Sequence, residues 1–323
     1  MKGWQRVPRR GEAQQYTDRI EWHWYQRFLP ASWRLAGEYL PTEQWHTVGD
    51  HTIHVDRLSH PDPSCTVMML HGGGGNGRIL MPLGRIAHRA GAEVIAPDLP
   101  GYGLTVRKRG YVPTYDDWAD IAATIADLEH RKTGQPVVVW GLSLGGLLAY
   151  GTAARSQAVR GVIATTLLDT RRAKNLAITA RSKLMGYLSA AFLPFLPRPL
   201  QRLRIPIRWV SKMEHITNTP ELSAVFARDP LAGGAAVPLG FLRSLMRFDL
   251  RIEPEAFTRC PVLVLHPTLD PWTPASYSRP FFDALAGEKT WVDLVGCGHL
   301  PFEEPGLSMM EEGVHRFLGA IGS

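Results

Sequence analysis

Cysteine is scarce in this sequence, and its few residues suggest no cross-linked framework. Three cysteines, Cys65, Cys260 and Cys297, are spread over 323 residues. Their odd number and wide spacing fit a reducing cytosol better than a disulfide-stapled secreted protein. The C-x-x-C and H-E-x-x-H spacings that hold zinc or carry redox chemistry are also missing. We therefore predict a cytoplasmic protein that needs neither a metal ion nor another cofactor.

Long apolar runs and a secretory leader are lacking as well. No stretch approaches the ~18 uninterrupted apolar residues that a membrane-spanning helix needs. The first residues are charged but contain neither an apolar segment nor a small-residue cleavage site, so we expect no signal peptide. With 45% apolar and 20% charged residues, the composition is that of an ordinary globular protein. Its length fits one large α/β domain or two smaller ones.

Acidic residues are slightly outnumbered by basic ones, which gives a net charge of +6. The basic residues are scattered, with small groups at 107–109, 171–172 and 202–208. No basic stripe alternates with stacking aromatic residues, so a nucleic-acid partner is not expected. A mildly basic surface favours acidic partners such as anionic lipid.

An amphipathic helix is predicted over residues 16–29, where Ile20, Trp24 and Phe28 recur at four-residue intervals. We expect this helix to pack on the main domain as part of an N-terminal extension, residues 1–43. A contact with a membrane or a partner is the alternative, because aromatic residues are concentrated here.

Strands and helices alternate from residue 44 to 169, which predicts a parallel sheet with right-handed crossovers. The same pattern resumes at residue 257. Apolar runs mark the predicted strands, which lie at 45–48, 52–57, 66–70, 93–96, from 137 onward, 159–168, 260–265 and 289–294. Residues 44–169 and 257–323 are therefore assigned to one α/β core.

The intervening residues, 170–256, break this alternation and are predicted to form a helical lid inserted into the core. The segment is rich in apolar and basic residues and is interrupted by prolines. Its apolar positions predict amphipathic helices and a hydrophobic pocket for an acyl chain. The residues expected to line that pocket are Leu184, Leu188, Phe192, Phe195, Phe241 and Leu245.

A G-x-S-x-G sequence at 141–145 follows the apolar run from Val137 and precedes residues that suit a helix. A serine on such a sharp strand-to-helix turn projects its hydroxyl from the sheet edge, and small neighbours such as Gly141 and Gly145 permit the turn. Ser143 is therefore the candidate nucleophile. Because the pentapeptide is common, the assignment depends on a base, an acid and an oxyanion site elsewhere in the chain.

A candidate acid and a candidate base follow later strands. Asp270 comes after the strand at 260–265, and His299 comes after the strand at 289–294. The carboxyl ends of parallel strands line one crevice, and the order serine, aspartate, histidine is the one expected on this topology. His299 would take the serine proton and return it to the leaving group, while Asp270 would orient the imidazole. Asp169 also follows a strand and is the rival acid.

A glycine-rich loop at 71–77 follows the strand at 66–70. Bare backbone in such a loop allows its N–H groups to approach an anion closely. A phosphate cradle is disfavoured because no G-K-[ST] follows the glycines. We expect an oxyanion site made by the N–H of Leu144, directly after the candidate nucleophile, and an N–H from Gly73 or Gly74.

Together these segments make the chain similar to the α/β-hydrolase family from about residue 44 to 320. The motifs that carry the resemblance are HGGGGN at 71–76, DLPGYG at 98–103, GLSLGG at 141–146, HPTLDPWTP at 266–274 and GCGHLPFEEP at 296–305. The resemblance implies an eight-stranded, mostly parallel sheet flanked by helices, with one early antiparallel strand and a lid inserted after the sixth strand. It also favours Asp270 over Asp169 as the acid. RDPL at 228–231 is similar to a segment of monoacylglycerol lipases and lysophospholipase-like members.

The expected reaction is hydrolysis of a small carboxylic ester with a hydrophobic acyl group, through an acyl-enzyme on Ser143. Family members that open epoxides or remove halides carry aspartate at the elbow, which disfavours those reactions here. A proline iminopeptidase-like amidase, a C–C bond hydrolase and an acyltransferase are alternatives on the same triad. A non-catalytic protein that binds a small ligand is the alternative from another class, although it would need no triad. Peripheral contact with lipid, through the N-terminal helix or the lid, is a further expectation.

Overall fold

The computed structural model describes residues 15–322, so the first fourteen residues of the predicted N-terminal extension lie outside it. The strands of the described part are, in chain order, β1 (Thr42–Val48), β2 (His51–Leu58), β3 (Cys65–Leu70), β4 (Ala92–Pro97), β5 (Val137–Gly141), β6 (Val159–Ala164), β7 (Arg204–Pro206), β8 (Ala236–Pro238), β9 (Val262–Pro267) and β10 (Lys289–Leu294). Its α-helices are α1 (Ile20–Phe28), α2 (Gly77–Arg89), α3 (Tyr115–Thr133), α4 (Leu144–Ala153), α5 (Ala173–Thr179), α6 (Lys183–Phe192), α7 (Ile207–Val210), α8 (Pro220–Arg228), α9 (Leu239–Leu245), α10 (Ala275–Ala284) and α11 (Gly306–Gly322). Within residues 15–322, none of the helices has the length and apolar character needed to cross a bilayer.

Eight strands form the central sheet, in the spatial order β1-β2-β4-β3-β5-β6-β9-β10. β2 runs antiparallel to both of its neighbours, β1 and β4, and the remaining pairs are parallel. β3 and β5 lie in the middle and are buried along their whole length, because helices pack on the faces of such a sheet. The predicted eight-stranded, mostly parallel sheet with one early antiparallel strand is confirmed.

Helix α3 shows how local sequence sets the limits of an element. The Thr114 hydroxyl accepts a hydrogen bond from the Asp117 N–H, and the Asp117 carboxylate accepts one from the Thr114 N–H in return. Gly134 ends the helix with a φ of 72°, a conformation that glycine adopts without strain. Trp118 and Ile125 lie on the buried face, as their helical spacing predicts. Removing the Thr114 cap would cost about 1 kcal/mol of stability.

The strand predicted at 159–168 is shorter in the structure, because β6 stops at Ala164. The next residues remain buried but leave the sheet to support the turn at Ser143. The Thr165 hydroxyl accepts a hydrogen bond from the Ser143 N–H at 3.2 Å, and the Thr166 hydroxyl donates one to the Ser143 carbonyl at 2.9 Å. An apolar run indicates burial but does not show where sheet pairing ends. The strand predicted from the sequence was therefore too long at its carboxyl end.

The N-terminal helix α1 is present, but the face that it buries is not the predicted one. Trp22, Tyr25 and Leu29 are buried, whereas Ile20 and Phe28 are 57% and 38% exposed. Both rows repeat at helical intervals, so spacing alone could not select the inner one. Trp22 packs against Arg78 of the core and Tyr25 packs against Phe226 of the lid, so the helix contacts both parts of the structure.

The lid, defined here as residues 170–256, contains α5 to α9 and a small antiparallel sheet made by β7 and β8. Several of its residues form one wall of a cavity whose other wall includes Ser143. Helix α6 turns Met185 and Ser189 toward this cavity. The predicted lid residues Phe241 and Leu245 also line it.

The other face of α6 contradicts the predicted acyl pocket. Four residues expected to line the pocket are instead between 49% and 82% exposed, namely Leu184, Leu188, Phe192 and Phe195. The residues of α6 that face the cavity are Met185, Gly186 and Ser189. Their side chains are small or flexible, which leaves room for the cavity. Helical periodicity identified an apolar row but could not show which side of the helix meets the core.

Candidate active site

Ser143 lies between β5 and α4 with a φ of 57° and a ψ of −126°, a conformation that is uncommon for a residue with a side chain. The backbone is so crowded here that neither flanking glycine has room for a Cβ. At Gly141 it would collide with the carbonyl of Gly145, and at Gly145 it would collide with the carbonyl of Leu70. Close packing of the backbone around Ser143 therefore holds the strained turn in place.

The N–H of Leu144 directly follows this turn. Leu144 is the first residue of α4, so its N–H has no carbonyl partner four residues earlier within the helix. N–H groups in this position carry the partial positive charge of a helix N-terminus. An N–H donor thus lies beside the serine, in the position that the expected oxyanion site requires.

The glycine-rich loop after β3 packs directly on this turn. A Cβ added at Gly72 would lie 3.0 Å from the Leu144 nitrogen and 3.1 Å from the Ser143 Cβ. One added at Gly73 would lie 3.3 Å from the Leu144 side chain, and Gly74 has a φ of 79° that suits glycine. The loop can approach the elbow this closely only because it lacks side chains. Gly73 also lines the cavity, as the expected oxyanion role requires.

His71 holds the start of the loop in place. Its Nε2 accepts a hydrogen bond from the Leu99 N–H at 2.9 Å, so its Nδ1 carries the proton and donates to the Gly72 carbonyl at 2.9 Å. Burial lowers the pKa of His71, which favours this neutral form. His71 thus orients the start of the loop through these two hydrogen bonds.

Asp270 and His299 form a buried pair at the carboxyl edge of the sheet. Asp270 Oδ2 lies 2.8 Å from His299 Nδ1 and also accepts a hydrogen bond from the Thr273 hydroxyl at 2.5 Å. Its Oδ1 accepts from the N–H groups of Trp272 and Thr273 at 2.8 and 3.0 Å. Although burial alone would raise the pKa of Asp270, the charge and hydrogen bond of His299 hold it well below its usual range. The carboxylate is therefore ionised and fixed against the imidazole.

The second nitrogen of His299 is directed away from this pair. Nε2 is buried and has no hydrogen-bond partner within residues 15–322. The indole of Trp272 packs against the imidazole with a centroid distance of 4.7 Å, and its Nε1 donates to the carbonyl of Thr179 in the lid. The imidazole is thus held on one side by Asp270 and on its face by Trp272, and neither contact involves Nε2.

The rival acid Asp169, a buried carboxylate and a buried thiol are all engaged in other contacts. Asp169 lies five residues beyond β6 and pairs with Arg171 at 2.9 Å and Arg172 at 3.4 Å, so its carboxylate is taken up by lid residues. Asp98 accepts hydrogen bonds from three groups, including the Tyr16 hydroxyl at 2.9 Å, and fixes a turn. Burial raises the pKa of Cys297 to about 12, and its thiol donates to a backbone carbonyl.

Four supporting residues were missed by the sequence analysis, namely Thr165, Thr166, Trp272 and Thr273. The two threonines after β6 fix the serine backbone, and the other two residues contact Asp270 and His299. Asp270 accepts hydrogen bonds from the second and third residues after it, which is the pattern of an Asx turn. The Asp-x-x-Thr spacing was therefore a usable signal, whereas nothing in the sequence marked Thr165 and Thr166.

The cavity above Ser143 has a volume of about 140 Å³ and mostly apolar walls. Leu168 and Leu176 contribute to one side, and Ile205, Val237 and Leu242 contribute to another. Its polar lining consists of hydroxyl and backbone groups, and no charged side chain lines it in the described part of the chain. Such a cavity fits an uncharged, hydrophobic group next to the serine.

One group of side chains has the composition of a metal site. Glu43, His54 and Asp56 bring potential ligand atoms within 4.8 Å of one another. Arg78, however, binds Asp56 through two hydrogen bonds of 2.6 Å and contacts Glu43 at 3.0 Å. Although burial opposes it, Asp98 and Glu43 raise the pKa of His54 to about 10. Arg78 and the protonated His54 therefore already neutralise these carboxylates, and the group does not fit a metal ion.

The fold and this geometry define an α/β hydrolase. The model of the family described as serine aminopeptidase S33, Hydrolase_4, matches residues 61–306. The match covers more than half of the chain, so the protein belongs to this family.

Three of the proteins to which the chain is similar are a phospholipase, matched by sequence, and two lipases, matched by fold. Phospholipase YtpA of Bacillus subtilis strain 168 is 23% identical over 252 residues, which cover 75% of this chain and 90% of that protein. The monoacylglycerol lipase of Paleococcus ferrophilus has a TM-score of 0.66 at 24% identity, covering 83% of this chain and 98% of that one. A soluble variant of the Saccharomyces cerevisiae monoglyceride lipase, in complex with a substrate analogue, has a TM-score of 0.70 at 17% identity, covering 90% and 99%.

Proposed function

We propose that this protein is a serine hydrolase that cleaves carboxylic esters with a hydrophobic acyl group. The observation that carries the proposal is the buried Asp270–His299 pair, 2.8 Å apart, at the same sheet edge as the strained Ser143 turn. Ser143, Leu144 and Gly73 line one apolar cavity, and so do Trp272 and Thr273, the two residues that contact the pair.

In the proposed mechanism, His299 Nε2 takes the proton of the Ser143 hydroxyl as the oxygen attacks the ester carbonyl. The N–H groups of Leu144 and of Gly73 or Gly74 stabilise the tetrahedral oxyanion. His299 then gives the proton to the departing alcohol, which leaves an acyl-enzyme on Ser143. A water molecule, deprotonated by His299, releases the acid and restores the serine. Asp270 remains ionised and stabilises the imidazolium throughout.

The cavity favours an ester over the amide substrate that the family description suggests. An aminopeptidase must bind a protonated α-amine, which requires a carboxylate or several carbonyls near the serine. The cavity lining within residues 15–322 contains neither Asp nor Glu. Its apolar walls suit a fatty acyl chain, which agrees with the substrates in the names of the two lipases of similar fold. The proline iminopeptidase-like activity is therefore the second candidate.

The outer face of the lid supports a lipidic substrate and peripheral lipid contact. Its large exposed apolar side chains are Leu184, Tyr187, Leu188, Phe192, Phe195, Leu200, Leu203 and Trp209. Between residues 170 and 213 the sequence has ten Lys and Arg residues and no Asp or Glu. Apolar side chains surrounded by cations match an anionic membrane surface. We assign this contact to the lid rather than to α1, whose exposed apolar row is smaller.

A fluorophosphonate probe tests the nucleophile, and an ester panel tests the substrate. The wild type should be labelled and Ser143→Ala should not, and labelling that persists in the variant would exclude Ser143. The panel runs from p-nitrophenyl acetate to palmitate, with a monoacylglycerol and an aminoacyl anilide beside it. Turnover of the anilide alone would establish the amidase. Absence of turnover together with ligand binding would indicate a non-catalytic binding protein.

A further inference from the structure

Tyr102 has the features of a substrate-contacting residue. Its side chain lines the same cavity as Ser143, Gly73 and Leu144. The residue is only 6% exposed, and its hydroxyl is buried with no hydrogen-bond partner in the described part of the chain. Buried hydroxyls are nearly always hydrogen-bonded, because an unpaired one is destabilising and a phenylalanine would avoid the cost.

The Tyr102 ring is held firmly beside the glycine-rich loop. It makes edge contacts with His71 and Trp118 at centroid distances of 5.6 and 5.8 Å. The Tyr102 N–H donates to the Leu99 carbonyl at 3.1 Å, and the N–H of the next residue, Gly103, is bound by a carbonyl of the lid. The backbone and the ring are thus both fixed, so the hydroxyl cannot turn away to find another partner.

The hydroxyl remains a hydrogen-bond donor at neutral pH. Burial raises the pKa of Tyr102 to about 12, although the N–H of Gly74 and the charge of Arg204 act in the opposite direction. The ring contacts His71, the first residue of the glycine-rich loop, and Gly73 of that loop lines the same cavity as Tyr102. Because the hydroxyl has no partner among the described residues, its O–H is available for an acceptor in the cavity.

From this arrangement we infer that the Tyr102 hydroxyl is a third donor of the oxyanion site, beside the N–H of Leu144 and the glycine-rich loop. The inference rests on the proposed acyl-enzyme mechanism. No covalent bond forms or breaks at Tyr102, and its proton stays on the phenol. Its hydrogen bond strengthens as the ester carbonyl oxygen gains negative charge, so it acts mainly on the transition state.

Tyr102→Phe removes one oxygen atom and tests this role. With a p-nitrophenyl ester we expect kcat to fall on the order of 100-fold while KM stays nearly constant. The affinity for a trifluoromethyl ketone, which forms a tetrahedral adduct on serine, should fall by a similar factor. The thermal midpoint should stay constant or rise, because the hydroxyl that is removed has no partner in the protein.

Tyr150→Phe is the matched control. The Tyr150 hydroxyl donates to the Ile252 carbonyl at 2.7 Å, so this variant should lose thermal stability and keep kcat. A Tyr102→Phe enzyme with wild-type kcat, or with a change in KM alone, would overturn the inference. Labelling of wild-type Ser143 by a fluorophosphonate distinguishes failure of the proposed function from failure of the inference about Tyr102. If the wild type is not labelled, the proposed function fails, and if it is labelled while Tyr102→Phe is fully active, only the third donor fails.

Discussion

The hydroxyl of Tyr25 donates a hydrogen bond of 2.9 Å to Asp229 Oδ2, across 204 positions of sequence. This contact joins the N-terminal helix α1 to the lid. Leu231, the second residue after Asp229 in the lid, accepts a hydrogen bond from the Gly103 N–H of the core at 3.0 Å. Helix α1 therefore holds a lid turn against the loop that precedes α3, close to the glycine-rich segment.

This contact predicts a pH-dependent stability. Burial raises the pKa of Asp229 from 3.8 to about 6, so the folded protein retains a proton that the unfolded chain releases. The resulting stabilisation is complete below pH ~4 and is lost as the pH rises through ~6. Since one pKa unit corresponds to ~1.4 kcal/mol, the contribution to the free energy of unfolding is about 2–3 kcal/mol. Urea unfolding between pH 4 and pH 7.5 measures it.

Two variants separate Asp229 from other titrating groups. Asp229→Asn cannot ionise at this position. The free energy of unfolding of the wild type, measured relative to that of the variant, should therefore fall as the pH rises from 4 to 7.5. The Tyr25 hydrogen bond lowers the pKa of Asp229, so Tyr25→Phe should shift the transition to higher pH. A difference that does not vary with pH in Asp229→Asn would exclude this carboxyl as the source.

The strands of the core could be predicted from the sequence, and the triad candidates could be proposed from it, because each depends on a local pattern. Buried strands appear as apolar runs, and the residue after a strand falls at the sheet edge whatever the rest of the fold does. Ser143, Asp270 and His299 could be placed at one edge by this reasoning alone. Only the structure could show that Asp169 pairs with Arg171, because this ion pair depends on how the lid packs.

The lid and α1 were predicted less well for a common physical reason. Helical spacing identifies apolar rows, but the inner row is selected by what the helix packs against. In α6 the bulkier row, with Leu184 and Phe192, faces outward, and in α1 the row with Trp22 and Tyr25 faces inward. Supporting groups such as Thr165 were missed because their hydrogen bonds join residues that are distant in sequence.

The identity of the catalytic acid can be tested with two isosteric variants. Asp270→Asn should lower kcat by on the order of 10⁴-fold, because the imidazole would lose the charge and tautomer that the carboxylate imposes. Asp169→Asn should keep kcat within a few fold, and its loss of ion pairs with Arg171 and Arg172 should appear as a lower thermal midpoint. Steady-state kinetics and a melting curve for each variant decide the matter. The opposite pattern would move the acid to Asp169.

The lid surface predicts tighter binding to anionic than to zwitterionic vesicles. Burying a phenylalanine in lipid contributes roughly 1.5–3 kcal/mol, and each nearby cation contributes about 1 kcal/mol at an anionic surface. Phe192→Ser combined with Phe195→Ser should therefore weaken vesicle binding at least ~100-fold. Sedimentation with phosphatidylglycerol and phosphatidylcholine vesicles measures both the affinity and the charge preference.

The controls for this surface distinguish docking from folding and from catalysis. Leu128→Ser removes another exposed apolar side chain, on α3, and should leave vesicle binding unchanged. Hydrolysis of a short, water-soluble ester should be unaffected in the lid variant, because Phe192 and Phe195 do not line the cavity. Activity on a long-chain monoacylglycerol presented in vesicles should fall in parallel with binding. If the lid variant binds both vesicle types as the wild type does, the exposed apolar row of α6 is not a lipid contact, and the hydrophobic substrate must then enter the cavity from solution.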